Sequence, residues 1–449
     1  MRQEFIQNQK VLNFPDDIKN PPRRKFIKQL IGGLTATATI SYISCGKSKS
    51  SYESLKNEVN KLSDTDIGDE RFWNTVVKQF PIRQNLIIMN TANLSPSPHR
   101  VQEAIFEFTR DEDSDPSLTN REKFNELRES ARSALAEFLG AKPDEIAIVR
   151  NTTEGNNTVI NGLTLKKGDG VVIWDQNHPT NNIAWDVRAE KYGFTVKRVK
   201  TIPVPQSYED LIKPFHNALT KNTKVLAFSH VSNISGVALP ANELCKMVRE
   251  YGVLTLADGA QTFGERIVNL SDMGCDFYTG SSHKWLCGPK ELGVLYVRSD
   301  VIEKLFPSIV GAHWEDAVKG GARKFESFGQ RDDAKISAMN KAVEFNNIIG
   351  KNRIEKRVRY IATALKSEIK KKIPNVKFHT PLEPEFSSGV VVFTAPGIDL
   401  TNALNTLYHK HNLGCAIMVG DFAGIRLSPH IYNSMEEVER AVNAVSKLV

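Results

Sequence analysis

A lysine directly after an apolar strand is an unusual place for a solvated charge. Lys284 stands there, in Ser281-Ser282-His283-Lys284-Trp285-Leu286-Cys287-Gly288-Pro289. Twenty-six residues earlier comes Asp258, in Ala257-Asp258-Gly259-Ala260-Gln261, and twenty-five before that Asn233, in His230-Val231-Ser232-Asn233. Asn177-His178-Pro179 and Asn151-Thr152-Thr153-Glu154-Gly155 lie further upstream, each again after an apolar run. An amine, a carboxylate and an imidazole are the residue types of nucleophilic and proton-transfer chemistry. Singly, each has an ordinary explanation: a strand-end lysine, a turn-capping aspartate before glycine, a packed loop histidine. Their recurrence at successive strand ends is what argues for a site.

The elements that would position these residues read clearly from about residue 70. Apolar spacing predicts helices over 100–109 and 120–139. Strand and helix patterns then alternate: strand 144–149, helix 151–161, strand 170–174, helix 181–191, strand 195–199, helix 208–218, strand 225–229, helix 241–251 and strands 254–257, 277–281 and 293–297. Asn151 and Glu154 supply a cap and a first-turn acid for the helix over 151–161. This pattern predicts an α/β protein with a mostly parallel sheet covered on both faces, and ligand groups in such sheets gather at the carboxyl ends of the strands. After residue 310 a Gly- and charge-rich loop, 311–333, leads to long helices over 334–349 and 352–372, a strand-rich tail and a final helix over 435–448. The expected division is a large domain over 71–310 and a small α+β domain over 311–449.

The chain has 449 residues, 40% hydrophobic and 25% charged, an ordinary globular composition that excludes full-length disorder and coiled-coil rods. It contains no run of eighteen apolar residues, so no membrane-spanning helix is expected. Its net charge of +7 is concentrated: residues 1–50 carry nine basic and three acidic side chains, and the other 399 carry 50 and 49. A nearly neutral body argues against a protein held on nucleic acid by phosphate contacts. The five cysteines, Cys45, Cys245, Cys275, Cys287 and Cys415, include no CxxC pair, so no zinc ribbon or redox motif is expected, nor any metal site.

These strand-end motifs, in this order, resemble class V pyridoxal-phosphate (PLP) enzymes. That family includes cysteine desulfurases, isopenicillin N epimerase-like enzymes, kynureninases and some transaminases. The resemblance runs from about residue 85 to residue 449 and implies fold type I, the aspartate aminotransferase-like PLP-dependent transferase architecture. It implies that Lys284 bonds the cofactor aldehyde and later moves the α-proton, and that Asp258 pairs with the pyridine nitrogen. His178 matches the imidazole stacked on the ring, and Gln261 and Asn233 match residues at the ring oxygen. Thr153, opening a helix, with Ser281 and His283, matches the phosphate donors, where N–H groups and the helix dipole favour a dianion. In this family the partner subunit of a homodimer also reaches the phosphate through a Gly-Thr turn; here Gly329-Gln330-Arg331-Asp332 occupies that place, with Gln330 for Thr. Arg426, in Gly424-Ile425-Arg426-Leu427, matches the arginine that binds the substrate carboxylate. Asn93, in Asn90-Thr91-Ala92-Asn93-Leu94, is the candidate on the substrate side.

The reaction stays open among several outcomes. A cysteine desulfurase needs a thiolate on a mobile loop before the carboxylate-binding arginine. Cys415 is the candidate by position, yet Leu413-Gly414-Cys415-Ala416-Ile417-Met418 reads as a buried strand. A C–S lyase without a protein thiol escapes that objection. The Asn-Thr-Ala-Asn loop, the Gly-x-Arg-Asp turn and the short segment before Arg426 favour an isopenicillin N epimerase-like enzyme, in which racemisation, transamination and lyase outcomes begin with the same α-proton loss. A non-catalytic binding protein on the same fold is the reading from another class, and the full set of strand-end residues favours the enzyme.

The first 45 residues read as an address. Residues 21–28, PPRRKFIK, resemble a twin-arginine export signal, followed by a weakly apolar stretch over 29–44. Ile43-Ser44-Cys45-Gly46 resembles a lipoprotein cleavage site with Cys45 as the lipidated residue, although Tyr42 departs from the usual Leu. Residues 46–70 then form a polar tether. The expected location is the periplasm, reached through the twin-arginine export machinery, with a lipid anchor at Cys45. Replacing Arg23 and Arg24 by Lys should hold the protein in the cytoplasm on cell fractionation; unchanged export would remove the address reading.

Overall fold

The computed structural model describes residues 52–59, 67–312 and 314–449. The twin-arginine motif and Cys45 lie outside the described residues. A two-residue strand, β1 (Ile87–Ile88), precedes a seven-stranded sheet built from β2 (Ile146–Val149), β3 (Gly170–Trp174), β4 (Thr195–Val199), β5 (Thr223–Ser229), β6 (Leu254–Asp258), β7 (Phe277–Ser281) and β8 (Gly293–Val297). Their order is β2-β8-β7-β6-β5-β3-β4. Every neighbouring pair is parallel except those made by β8, which runs against both β2 and β7.

Alternation along each strand sends side chains to two cores. Val172, Trp174, Leu226 and Phe228 face one core with Leu135, Leu211, Phe215 and Leu244 from the helices Leu118–Leu139, Tyr208–His216 and Ala241–Arg249. Val171, Ile173, Val225 and Ala227 face the other with Val159, Ile160 and Trp185 from Thr152–Gly162 and Pro179–Tyr192. Burial on both faces explains why these strands read as continuous apolar runs rather than alternating ones. The edge strand β4 keeps Lys197 and Arg198 in solvent, which blunts an otherwise open edge.

A second, antiparallel sheet is formed by β9 (Lys377–Phe378), β10 (Val391–Thr394), β12 (Ala416–Met418) and β13 (Gly424–Leu427), in the order β12-β13-β10-β9. The short strand β11 (Leu413–Gly414) pairs in parallel with β1. Helices Lys351–Lys372, Leu400–His411 and Met435–Ser446 cover this sheet through Ile361, Leu365, Leu407, Val438 and Val442. The packing does not change hands at residue 310. Helix Asp333–Ile349 lies against the helices His99–Ser114 and Leu118–Leu139, with Ile336, Met339 and Val343 in the core of the main sheet. The chain crosses over at Gly350, whose φ of +96° joins that helix to Lys351–Lys372. A Gly/charge-rich loop looks like a linker in sequence, but the buried face of the following helix decides where it packs.

Close backbone approach at the ends of β6 and β7 depends on Gly259. A Cβ there would lie 2.0 Å from the Tyr278 ring, and Tyr278 is fully buried. Gly259→Ala should destabilise the chain by about 3 kcal/mol, read as a lowered denaturant midpoint at unchanged slope.

Candidate active site

Asp258 ends β6 and Ser281 ends β7, so their side chains emerge at adjacent strand ends, and the turn after Ser281 carries Lys284. That turn is pinned from several directions. The Ser282 amide donates to Leu292 O at 2.9 Å and the Gly288 amide to Ser282 O at 2.7 Å. Trp285 Nε1 donates to Gln261 Oε1 at 2.8 Å, Asn346 Nδ2 to Leu286 O at 2.9 Å, and His430 Nε2 pairs with Trp285 O at 2.8 Å. Burial pushes the Lys284 amine down to about 8; Asp258 resists this and the Arg426 guanidinium adds to it. His178 is also held below its usual range, chiefly by burial and then by Lys284, with Asp258 opposing and Arg426 assisting. Lys284, Asp258, His178 and Arg426 therefore share one electrostatic neighbourhood, although they come from four separate parts of the chain.

The Asp258 carboxylate is held on both oxygens. The Ala260 amide donates to Oδ1 at 3.0 Å and Asn156 Nδ2 to Oδ2 at 2.8 Å. Asn156 was not singled out by the sequence; the available signal was its place one turn after the Thr152-Thr153 pair on a helix. At the head of that helix, Ser281 Oγ accepts from the Thr152 amide at 2.8 Å and bonds Thr152 Oγ1 at 2.7 Å. Thr153 is exposed in the same first turn, and Asn151 Oδ1 caps the helix by accepting from the Glu154 amide at 2.9 Å. His283 is pushed down to about 4 by burial, with Lys284 and Lys290 adding to the shift, so its imidazole is neutral at pH 7. His178 caps the helix Pro179–Tyr192, with Nδ1 2.8 Å from Thr180 Oγ1. The adjacent Asn177 ties this loop to β5, accepting from the Ser229 amide at 2.6 Å and donating to Ala227 O at 3.1 Å.

Arg426 reaches the same place from β13. It is 6% exposed, donates Nη1 to Asn233 O at 3.0 Å and Nη2 to Asn90 Oδ1 at 3.1 Å, and leaves Nε bare. Burial pulls its guanidinium down to about 10. Two other buried arginines have carboxylates: Arg132 pairs with Glu326 at 2.5 Å and Arg357 with Glu70 at 2.7 Å. Among the described residues no carboxylate forms an ion pair with Arg426. An uncompensated buried cation is costly, and a carboxylate arriving from outside would offset that cost.

The remaining candidates divide. Asn233 contributes its carbonyl to Arg426. Asn93 is exposed in the turn, and it is Asn90 of that turn that touches Arg426. Gln261 spends its amide on Ala92 O, at 3.0 Å, and on Trp285, so within this chain it braces the lysine turn. Gln330 is exposed, accepts from Arg121 Nη2 at 2.7 Å and lines a cavity of about 340 Å³ with Arg150, Phe328 and Arg331. Thr153 lines a neighbouring cavity of about 520 Å³ that shares Arg150, Glu291, Ile309 and Phe328 with the first. Neither cavity is lined by Lys284 or Asp258. Cys415 is buried between β11 and β12 among Leu413, Ile425 and Leu427, and burial pushes its thiol up to about 12.

Residues 88–441 match the family described as aminotransferase class-V. The isopenicillin N epimerase of Streptomyces clavuligerus is 26% identical over 391 residues, which cover 84% of this chain and 98% of that one. A probable cysteine desulfurase of Pyrococcus abyssi is 28% identical over 396 residues, covering 83% and 97%. Among solved structures, the apo cysteine desulfurase from Thermococcus onnurineus NA1 superposes with a TM-score of 0.75 at 26% identity, covering 84% of this chain and 98% of that one.

The depressed Lys284 has a signed consequence. Between about pH 8 and its ordinary value of 10.5 the unfolded chain binds a proton at Lys284 that the folded chain has released, so stability rises with pH across that window. Lys284→Met should therefore stabilise the cofactor-free protein at pH 7 by roughly 2 kcal/mol, with the gain fading toward pH 10.5. Thermal midpoints of both proteins across pH 7–10.5 test this, and an equal difference at every pH would refute it.

Proposed function

We propose that this chain, which belongs to the aminotransferase class-V family and has the fold type I architecture of PLP-dependent transferases, acts at the α-carbon of an amino acid or amino-acid-derived substrate. The observation that carries the reading is the convergence of three groups. These are an amine with its proton affinity lowered by burial, a carboxylate fixed by two hydrogen bonds, and a buried arginine with no carboxylate ion pair among the described residues. They fit PLP and an amino-acid carboxylate together. When bound, the cofactor supplies an aldehyde carbon for amine exchange and a ring that accepts electrons from the α-carbon.

The protein's part follows from its own groups. Lys284, neutral in an appreciable fraction near pH 8, attacks through its free base and is placed to take up or return a proton at the substrate α-carbon. Asp258 is ready to pair with the ring nitrogen, and His178, at the entrance to its helix, is the candidate to stack on the ring. The first turn of the helix Thr152–Gly162 at exposed Thr153, with Ser281 and neutral His283, is the candidate phosphate end of the site. Arg426 offers a planar fork for the substrate carboxylate, oriented by Asn90 and the Asn233 carbonyl.

Epimerase- or transaminase-type chemistry is the reading we favour, because Cys415 is buried in the core between β11 and β12 with its thiol protonated. The likeness to cysteine desulfurases keeps one alternative, a C–S lyase that uses no protein thiol. We further infer a homodimer in which Gln330 serves the partner's phosphate site. Export through the twin-arginine route after cofactor loading would suit an enzyme that must fold around its cofactor first.

The test is α-deuterium exchange with a panel of amino acids and peptides, followed alongside the visible absorption of the loaded protein. Exchange should occur, and borohydride should fix the cofactor to the wild-type chain but not to Lys284→Ala. Arg426→Ala should lower kcat/KM for carboxylate substrates about 100-fold, mostly through KM. Cys415→Ser should leave turnover intact, and loss of sulfide release from cysteine in that variant would restore the desulfurase reading. A wild-type chain that takes up no PLP would refute the assignment.

A further inference from the structure

One helix ties two ends of the site together. Thr152, in the first turn of Thr152–Gly162, is bonded to Ser281 at the end of β7. One turn later, Asn156 donates Nδ2 to Asp258 Oδ2 at 2.8 Å, while Thr279 Oγ1 donates to Asn156 Oδ1 at 2.7 Å. Asn156, Asp258 and Thr279 are all buried, and Asp258 and Thr279 are register partners in the β6–β7 ladder. The amide has only one workable orientation. An ionised carboxylate accepts hydrogen bonds and cannot donate them, so Nδ2 must face Asp258 and Oδ1 must face the threonine hydroxyl. The helix lies close enough for this because residue 155 is glycine: a Cβ there would stand 2.8 Å from Thr279 Cγ2.

We propose that Asn156 is a positioning residue for Asp258, fixing the plane of its carboxylate so that its free lone pairs point at the ring nitrogen of the cofactor. The proposal rests on the PLP reading above. The Ala260 amide anchors Oδ1 and the Asn156 amide anchors Oδ2, so neither oxygen is free to turn. A carboxylate torsion is broad and two-fold when nothing holds it, so removing the Asn156 amide frees the plane. The same helix carries Thr153, the candidate phosphate residue, in its first turn. Its placement therefore sets the spacing between the nitrogen-binding and phosphate-binding ends of the site.

The test uses full-length protein loaded with PLP labelled with nitrogen-15 in the ring, in wild type, Asn156→Ala, Asn156→Asp and Thr279→Val. Three quantities are read: the ring-nitrogen chemical shift, the cofactor dissociation constant, and the thermal midpoint of the cofactor-free protein. Asn156→Asp sets a second carboxyl group against Asp258, and such a pair holds one proton between them, which weakens the pull of Asp258 on the ring nitrogen. Its ring-nitrogen signal should move toward the unprotonated position, and its cofactor affinity should fall on the order of tenfold. Asn156→Ala should move the signal the same way by less. Thr279→Val, which deletes only the hydroxyl that orients the amide, should give the smallest shift, and it carries the test if the Asn156 variants do not fold. Ring-nitrogen signals at the wild-type position in every folded variant, with only the thermal midpoint lowered, would overturn the proposal. Failure of the wild type to bind PLP would instead overturn the reading beneath it.

Discussion

The site is organised around the protonation of one amine. Lys284 lies where burial strips it of water, which favours the neutral form; Asp258 pulls toward the charged form, and Arg426 pushes the other way. Together with burial they leave it near 8, where both forms are populated at ordinary pH and the group can both attack and carry a proton. The sheet, the lysine turn and the second sheet are the means of bringing these three groups to one place.

Much of the main sheet was legible because two-sided burial makes strands continuous apolar runs, and each strand from Gly170 to Val297 falls within about two residues of its expected span. The reversed direction of β8 was not legible, since strand composition carries no sign of direction. Neither was the crossover at Gly350. That depends on which core the helix 333–349 buries its apolar face in, and a sequence pattern shows that such a face exists without showing its partner.

Residue type and strand-end position pointed to Lys284, Asp258 and His178, and the family resemblance pointed to Arg426; the structure brings the four together. Details of hydrogen bonding were out of reach. Asn156 reads as one more polar residue in a Gly/Asn/Thr-rich helix, and only burial against β6 shows that its amide has a task. Asn90 and Asn93 differ by three positions in one turn, and the backbone bond from the Asn93 amide to Asn90 O reverses the chain so that only Asn90 meets Arg426. Gln261 has the right type and spacing for a ring contact, yet an indole and a backbone carbonyl claim most of its amide.

The backward course of β8 has a mechanical result. Most other connections at this end of the sheet lead away into helices, but the segment bearing Lys284 returns at once to its neighbour, with Ser281 paired opposite Gly293. Both of its ends are clamped in one ladder, and its middle is fastened by Trp285, Leu286 and Ser282. The amine thus rides on a stiff closed loop, while the guanidinium facing it rides on a separate four-stranded sheet. The spacing between amine and guanidinium is therefore set by how two separate sheets pack, not by either sheet alone.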